Sequence, residues 1–403
     1  MDAIHIQAIP GPTVADLDVE IVERKGLGHP DTICDAVMDR ISQALSQAYV
    51  KRFGAILHHN CDKGLLVAGQ VERRFGGGRV REPMRLIIGD RATAAADGVA
   101  VPVAEIAVET AKCWFREHLR HVDSEKHVSY QVELKPGSEE LTALFSERKR
   151  VLGANDTSAA VGYAPLSETE LLVLEAERHL NSPAFKPRFP ETGEDVKIMG
   201  VRRGRRIDLT VAMPLLDRFV ESEEEYFRRK KGVYEALVRH LRSHLDRLTL
   251  GAVSLNHLDR PGAGMSGTYL SVLGTSAEDA DSGEVGRGNQ VNGLIALNRP
   301  RSSEAAAGKN PVSHVGKIYN VLAHLLANRI HAEVSGLREV IVWLCSRIGD
   351  PVDQPRMTSL QVFLESGVTL ADLDGPIRRI VRDALERMPI FCEELAQGRY
   401  QIC

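Results

Sequence analysis

The chain has 403 residues, and at about 100–200 residues per structural unit two to four units are expected. Its 51 basic side chains face 55 acidic ones, a net charge of −4, which argues against a nucleic-acid-binding protein, since that needs a cationic excess or a clustered basic face. A hydrophobic share of 43% is ample for several buried cores, while apolar runs such as Ile341-Val342-Trp343-Leu344-Cys345 fall far short of a membrane span.

The first residues show no basic stretch followed by an apolar one, so no secretory leader is expected. Cysteines at 34, 61, 113, 345, 392 and 403 form no C-x-x-C pair, which reads as reduced thiols in a cytoplasmic protein and not as a zinc site. In chain order, Ile33, Val37, Ile41, Ala44, Leu45 and Ala48 predict a helix after Pro30, with Asp31 and Thr32 as cap candidates. The segment 54–71 reads as two short strands around a polar turn, 84–89 as a strand and 101–120 as a helix. Helices at 167–181 and 223–248 flank a strand pair near 195–213. The loop at 259–264 then precedes a strand at 268–273, a glycine-rich loop at 283–288, a helix at 313–335, a strand at 339–346 and a final helix at 376–397. Strands and helices do not alternate as in a doubly wound sheet, so the class is α+β, in three units at 1–150, 151–267 and 268–403.

Charge, glycine and a helix start coincide in three places. In Gly26-Leu27-Gly28-His29-Pro30-Asp31 the glycines permit close backbone approach and the helix start offers N–H groups to an anion. His29 can hydrogen-bond a phosphate and Asp31 can hold Mg²⁺, although spacing alone favours a plain loop with Asp31 as cap. Asp281-Ser282-Gly283-Glu284-Val285-Gly286-Arg287-Gly288-Asn289 offers Arg287 as a phosphate clamp and Asp281 as a metal ligand, or is simply a surface turn. Gly308-Lys309-Asn310-Pro311-Val312-Ser313-His314 sets a lysine before a helix, which suggests an anion there, but it is no Walker A loop. His58 and His59 are adjacent and on a strand would face opposite ways, which argues against a shared metal; Asp62 is the better polar site residue. The residues alone lead to an enzyme of a Mg-nucleotide and no further.

These clusters, in this order, resemble the archaeal-type S-adenosylmethionine synthetases. The resemblance runs through Val22–Asp31, Leu57–Asn60, Arg74–Gly78, Ala154–Ser158, Val161–Glu170, Gly193–Gly200, Ile207–Thr210, Gly274–Glu278, Val285–Asn289 and Glu304–Asn320, almost the whole chain. It implies that L-methionine, ATP and water give S-adenosylmethionine, phosphate and diphosphate. The methionine sulfur would attack C5′ of ATP, and the displaced triphosphate would then be hydrolysed. His29 would contact the triphosphate near the C5′ oxygen, Lys197, Arg287 and Lys309 would grip phosphates, and Asp31 and Asp281 would hold Mg²⁺. Asp156 would orient methionine or ribose; Gly137, Ser138, Glu139, Glu140 and Leu141 match a stretch associated with ATP, and Glu304 and His314 stand close behind. The resemblance further implies three similar units about a pseudo-threefold and a homodimer, extendable to a tetramer, with active sites between subunits. K⁺ would be an optional second cation.

Some positions depart from the pattern. Thr32, Gly288 and Ser313 stand where the common bacterial enzymes carry lysine, which selects the archaeal type. Within that type, Ala280-Asp281-Ser282-Gly283 replaces Gly-Asp-Asp-Gly and Ala68-Gly69 replaces Gly-Gly, which puts metal stoichiometry or methionine affinity in question.

Overall fold

Three times along the chain a helix leads into an antiparallel strand pair and a second helix follows. The computed structural model describes residues 4–138, 145 and 151–403. In the first unit, helix Pro30–Phe53 precedes strands His59–Val67 and Met84–Ala92, and helix Val103–His118 returns the chain to strand Val128–Lys135, parallel to Met84–Ala92. In the second, helix Glu168–Leu180 precedes Lys197–Arg203 and Arg206–Ala212, and helix Glu223–Ser243 returns it to Thr249–Leu255, parallel to Arg206–Ala212. In the third, helix Val315–Glu333 precedes Leu337–Cys345 and Met357–Leu364, followed by helices Leu370–Glu386 and Met388–Ala396. Here the parallel partner of Met357–Leu364 is Ile4–Ala8, from the other end of the chain.

On the far side of each strand pair lies one more antiparallel strand. Gly283–Glu284 adds to the first sheet, Val19–Lys25 to the second and Ala159–Ala164 to the third. The arrangement of helices around an antiparallel strand pair therefore recurs three times in an α+β fold, and each sheet includes strands from distant parts of the chain, with Ile295–Ala296 pairing beyond Val19–Lys25 in the second.

Each sheet packs one face on its own helices. Strand Arg206–Ala212 buries Ile207, Leu209 and Val211 in strict alternation, and Lys197–Arg203 buries Ile198 and Gly200 beside them. These residues meet Leu172, Val173 and Leu237 from the two helices of that unit. Each fully buried Leu, Ile or Val of this kind contributes roughly 1.5–3 kcal/mol.

Three sequence expectations change. The predicted turn within 54–71 is instead part of strand His59–Val67, with a register shift between Asn60 and Lys63. The polar run stays extended because Cys61 enters the core and Asp62 meets a buried lysine. The strand expected at 268–273 shrinks to Leu270–Ser271, because the Glu278 carboxylate takes the N–H groups of Val272 and Leu273 at 3.0 and 2.6 Å. The last helix starts at Leu370, at a Thr369/Asp372 capping box, carries Pro376 in its interior, and gives way at Arg387 to a separate helix with Pro389 in its first turn.

Candidate active site

Strand Val19–Lys25 runs directly into the loop Gly26-Leu27-Gly28. Gly26 N donates to Val196 O at 2.7 Å and Gly28 N to Glu194 O at 3.0 Å. A Cβ on Gly28 would stand 2.6 Å from the Asp195 nitrogen, so only glycine lets the loop lie on this backbone. The following helix is capped by His29, not by the expected Asp31 or Thr32: its Nδ1 accepts from Asp31 N at 3.2 Å, and Pro30 occupies the first helical position. Asp31 is thereby freed to turn its carboxylate elsewhere.

The glycine-rich loop closes over this helix start. Gly283 lies so near Pro30 that a Cβ would fall 2.2 Å from the Pro30 carbonyl. Glu284 N donates to Asp31 Oδ1 at 3.0 Å and Gly286 N to Asp35 Oδ1 at 2.8 Å. Lys25 Nζ donates to Asp31 Oδ2 at 2.8 Å and to the Arg287 carbonyl at 2.6 Å.

Around His29 the structure thus collects Lys25, Lys197 and Arg287. Burial pushes the His29 pKa down to about 4; Asp31 opposes the shift, and the three cations add to it. The ring is neutral at pH 7. Its Nδ1 accepts a backbone N–H, so the proton sits on Nε2, which is a hydrogen-bond donor. Lys197, whose side chain is 42% exposed, pairs only loosely with Glu23 at 3.4 Å. Arg287 is exposed. The arrangement is a cationic cradle open to solvent, with a neutral donor at its base.

Two carboxylates, Asp195 and Asp281, also lie within range of each other here. Asp195 is buried, accepts from Ser276 N at 2.8 Å and Ser276 Oγ at 2.5 Å, and is pushed up to about 6 by burial, with Asp281 adding its charge. Sequence reading passed over Asp195 and Lys25, although both lie within runs it singled out, two residues before Lys197 and four before His29. The departures at Ala68 and Ser282 meet each other: Ala68 N donates to Ser282 Oγ at 3.0 Å. Serine thus supplies an acceptor where the family pattern has a carboxylate.

Lys309 and His314 belong to a second cluster. Lys309 Nζ lies 2.6 Å from Asp62 Oδ2 and 3.0 Å from Glu304 Oε2, with its side chain 3% exposed. Its charge is answered by carboxylates of its own chain, not by an anion at a helix start. The helix Val315–Glu333 is capped instead by His314, whose Nδ1 accepts from Gly316 N at 3.2 Å. Burial, with Lys309 adding to it, lowers the His314 pKa to about 3. Asp156 is near this cluster; burial raises its pKa and Glu304 adds to the rise. Asp62 also pairs with Lys63 at 2.6 Å, and its pKa is lowered by Asp90 and Lys309 against the cost of burial. His58 and His59 share no ligand: His59 Nε2 contacts Ser42 Oγ at 2.9 Å, while His58 lies beside Gly137. Ser138 is described, whereas Glu139, Glu140 and Leu141 lie outside the described residues.

A polar cavity of about 230 Å³ is lined by residues of both regions, among them Asp35, Gly286, Asn289, Glu304 and Asn320. A larger cavity of about 810 Å³ lies at the other end of helix Pro30–Phe53 among Val50, Leu152, Val312 and Met388. It is mostly apolar and lacks the converging charges that a polyphosphate needs.

Comparison with known proteins gives the family. The S-adenosylmethionine synthetase family profile matches residues 2–399. The S-adenosylmethionine synthase of Aeropyrum pernix is 47% identical over 400 residues, covering 98% of each chain. The probable S-adenosylmethionine synthase of Aquifex aeolicus is 43% identical over 392 residues, covering 96% of each. The solved structure of an unusual S-adenosylmethionine synthetase from Campylobacter jejuni superposes with a TM-score of 0.61 at 17% identity, over 96% of this chain and 95% of that one. With a match along nearly its entire length and a cradle of cations around a neutral histidine, the chain belongs to the S-adenosylmethionine synthetase family.

Proposed function

We propose that the His29 cluster is where this chain carries out the reaction that defines its family: L-methionine, ATP and water give S-adenosylmethionine, phosphate and diphosphate. The sulfur attacks C5′ and the whole triphosphate leaves, so negative charge grows on the departing oxygen. Donors fixed in advance at that oxygen stabilise the transition state more than the ground state. The observation that carries this reading is His29 itself, a buried neutral ring with its N–H on Nε2, among Lys25, Lys197 and Arg287.

Each residue has a role in this reading. His29 donates to the oxygen leaving C5′. Lys197 and Arg287 hold the triphosphate in line with the sulfur and remain on it during hydrolysis. Asp31 and Asp281 would hold Mg²⁺, which would supply positive charge to the phosphate oxygens when bound. The fit is chemical. Both are hard oxygen donors, and Asp281 lies near enough to the buried Asp195 for its charge to raise the Asp195 pKa. Among the described residues no three His, Cys, Asp or Glu side chains form a ready metal site.

Lys309, Asp156, Glu304 and His314 form the other half of the site. In a homodimer this cluster of one subunit faces the His29 cluster of the other, and Lys309 exchanges a carboxylate for a phosphate. Gly137 to Leu141 belong with ATP. K⁺ would be an optional second cation. All six cysteines are free, in keeping with a cytoplasmic protein. Among the described residues no helix is long and apolar enough to cross a membrane.

The test is incubation with ATP, Mg²⁺ and methionine. S-adenosylmethionine with equimolar phosphate and diphosphate is expected. Phosphate release independent of methionine would make the chain a triphosphatase, and tight ATP binding without turnover would make it a nucleotide-binding paralogue.

A further inference from the structure

One cation of the His29 cluster has no part in the motif reading. Lys25 ends the strand Val19–Lys25 with its side chain 12% exposed. Two of its three ammonium protons are placed, on Asp31 Oδ2 and on the Arg287 carbonyl. Its backbone is fixed as well: Lys25 N donates to Asn289 Oδ1 at 3.0 Å, and Lys25 O accepts from Asn289 Nδ2 at 2.7 Å and from Thr32 Oγ1 at 3.0 Å. Three segments therefore meet on one residue: the strand end, the helix start with His29 and Asp31, and the glycine loop with Arg287. Position 32, a lysine in the bacterial pattern, is here a threonine that anchors the Lys25 carbonyl.

We propose that Lys25 is a positioning residue for adenosyl transfer, its ammonium tying the Asp31 carboxylate to the Arg287 carbonyl so that the helix start and the glycine loop present His29 and Arg287 to the same triphosphate. The proposal rests on the reading of the His29 cluster as the triphosphate site. The physical reason is geometric. The loop segment Glu284 to Gly288 reaches the helix chiefly through Glu284 N on Asp31 and Gly286 N on Asp35. A half-buried ammonium joining a carboxylate to a carbonyl is among the stronger ties available, because the ammonium and the carboxylate are both charged. An in-line displacement is sensitive to displacements of about 1 Å in its supporting groups.

The test compares Lys25→Met and Lys25→Arg with the wild type. The readouts are kcat and KM for ATP and methionine, and calorimetric binding of Mg²⁺ with inorganic tripolyphosphate. Lys25→Met is expected to lower kcat about 100-fold, to change tripolyphosphate affinity less than about threefold, and to leave the KM for methionine near the wild-type value. Lys25→Arg, which keeps charge and donors, is expected to recover kcat to within about tenfold of the wild type. Should Lys25→Met fail to fold, Lys25→Gln, which keeps a donor and loses the charge, carries the same expectation. A kcat within twofold of wild type in the neutral variant would overturn the proposal. So would a collapse of tripolyphosphate affinity with kcat unchanged, which would make Lys25 a plain phosphate contact. Full turnover in a parallel His29→Asn variant would overturn the site assignment itself, and the role of Lys25 with it.

Discussion

Helices Pro30–Phe53 and Val315–Glu333 occupy equivalent places in two of the three units, and both begin with a histidine cap. In each the Nδ1 accepts the N–H of the second helical residue at 3.2 Å, and in each burial keeps the ring neutral. The third equivalent helix, Glu168–Leu180, begins with a capping box at Ser167 and Glu170, and there Ser167 donates to the buried carboxylate of Glu20. The two histidine ends differ in what surrounds them. Near His29, Lys197 is half-exposed and meets Glu23 only at 3.4 Å, and Arg287 is exposed, whereas Lys309 near His314 is buried against Asp62 and Glu304 at 2.6 and 3.0 Å. The cap is therefore a property of the repeated fold. Whether it becomes a site for an anion depends on cations that the neighbouring unit leaves unspent.

The largest expected effect separates the two histidines. Asparagine also caps helices well, so His29→Asn and His314→Asn should both keep their helix starts. His29→Asn should slow S-adenosylmethionine formation in a single turnover by about 100- to 1000-fold while ATP binds nearly as before. His314→Asn should cost clearly less. Equal losses would erase the distinction drawn between the two ends.

Next in size is the ion pair that marks the second cluster. Asp62→Asn leaves the Lys309 ammonium with Glu304 as its close carboxylate among the described residues, in a buried site. It should lower unfolding free energy in urea by about 3 kcal/mol, the scale of a broken buried pair. Lys197→Met removes a half-exposed cation and should change stability by less than about 0.5 kcal/mol while weakening turnover. Similar stability losses in both would show that the His29 cations are structural as well.

Arg287→Leu should slow hydrolysis of added tripolyphosphate more than it slows sulfonium formation, measured in separate assays on one preparation. Equal slowing would assign the guanidinium to both steps.

The smallest effect is a pH dependence. The folded pKa of His314, about 3, lies below its ordinary value of 6.5. Such a group stabilises the fold fully above about pH 6.5 and loses that contribution as pH falls toward the folded value. Raised carboxyls such as Asp35, pushed by burial to about 7, act in the opposite sense, so the whole-protein curve mixes both. The difference between wild type and His314→Asn isolates the histidine. It should shift by about 1 kcal/mol between pH 7.5 and 5.5, the wild type losing stability relative to the variant as pH falls. No shift would mean that the ring is solvated in the folded protein.

Much of the secondary structure is legible because it rests on local patterns. Ile33, Val37, Ile41 and Leu45 recur at helical spacing and are all buried in the core of the first unit. The glycine signals were also legible, since Gly28 and Gly283 are required by backbone contacts that no side chain would allow. The cap at His29 was not, because histidine is an uncommon cap and Asp31 a common one; the choice was made by the loop that presses on the helix start. The strand through Asn60, Cys61 and Asp62 was missed for a similar reason. Its polar residues look like a turn until a lysine some 247 positions away takes the Asp62 carboxylate.

By itself the sequence determined the composition of the site: which cations, carboxylates and glycines the chain carries, in runs ordered closely enough to point to an adenosyl-transferring synthetase. It also determined the helices and most strands, since hydrophobic spacing acts over a few residues. Tertiary structure alone decided which of those charges are available. Lys197, Arg287 and Lys309 look alike in a sequence, but only packing brings Asp62 and Glu304 onto Lys309 and leaves the other two facing solvent beside His29. An ammonium's readiness to meet a phosphate depends on what already neutralises it, and that is fixed by contacts between residues hundreds of positions apart.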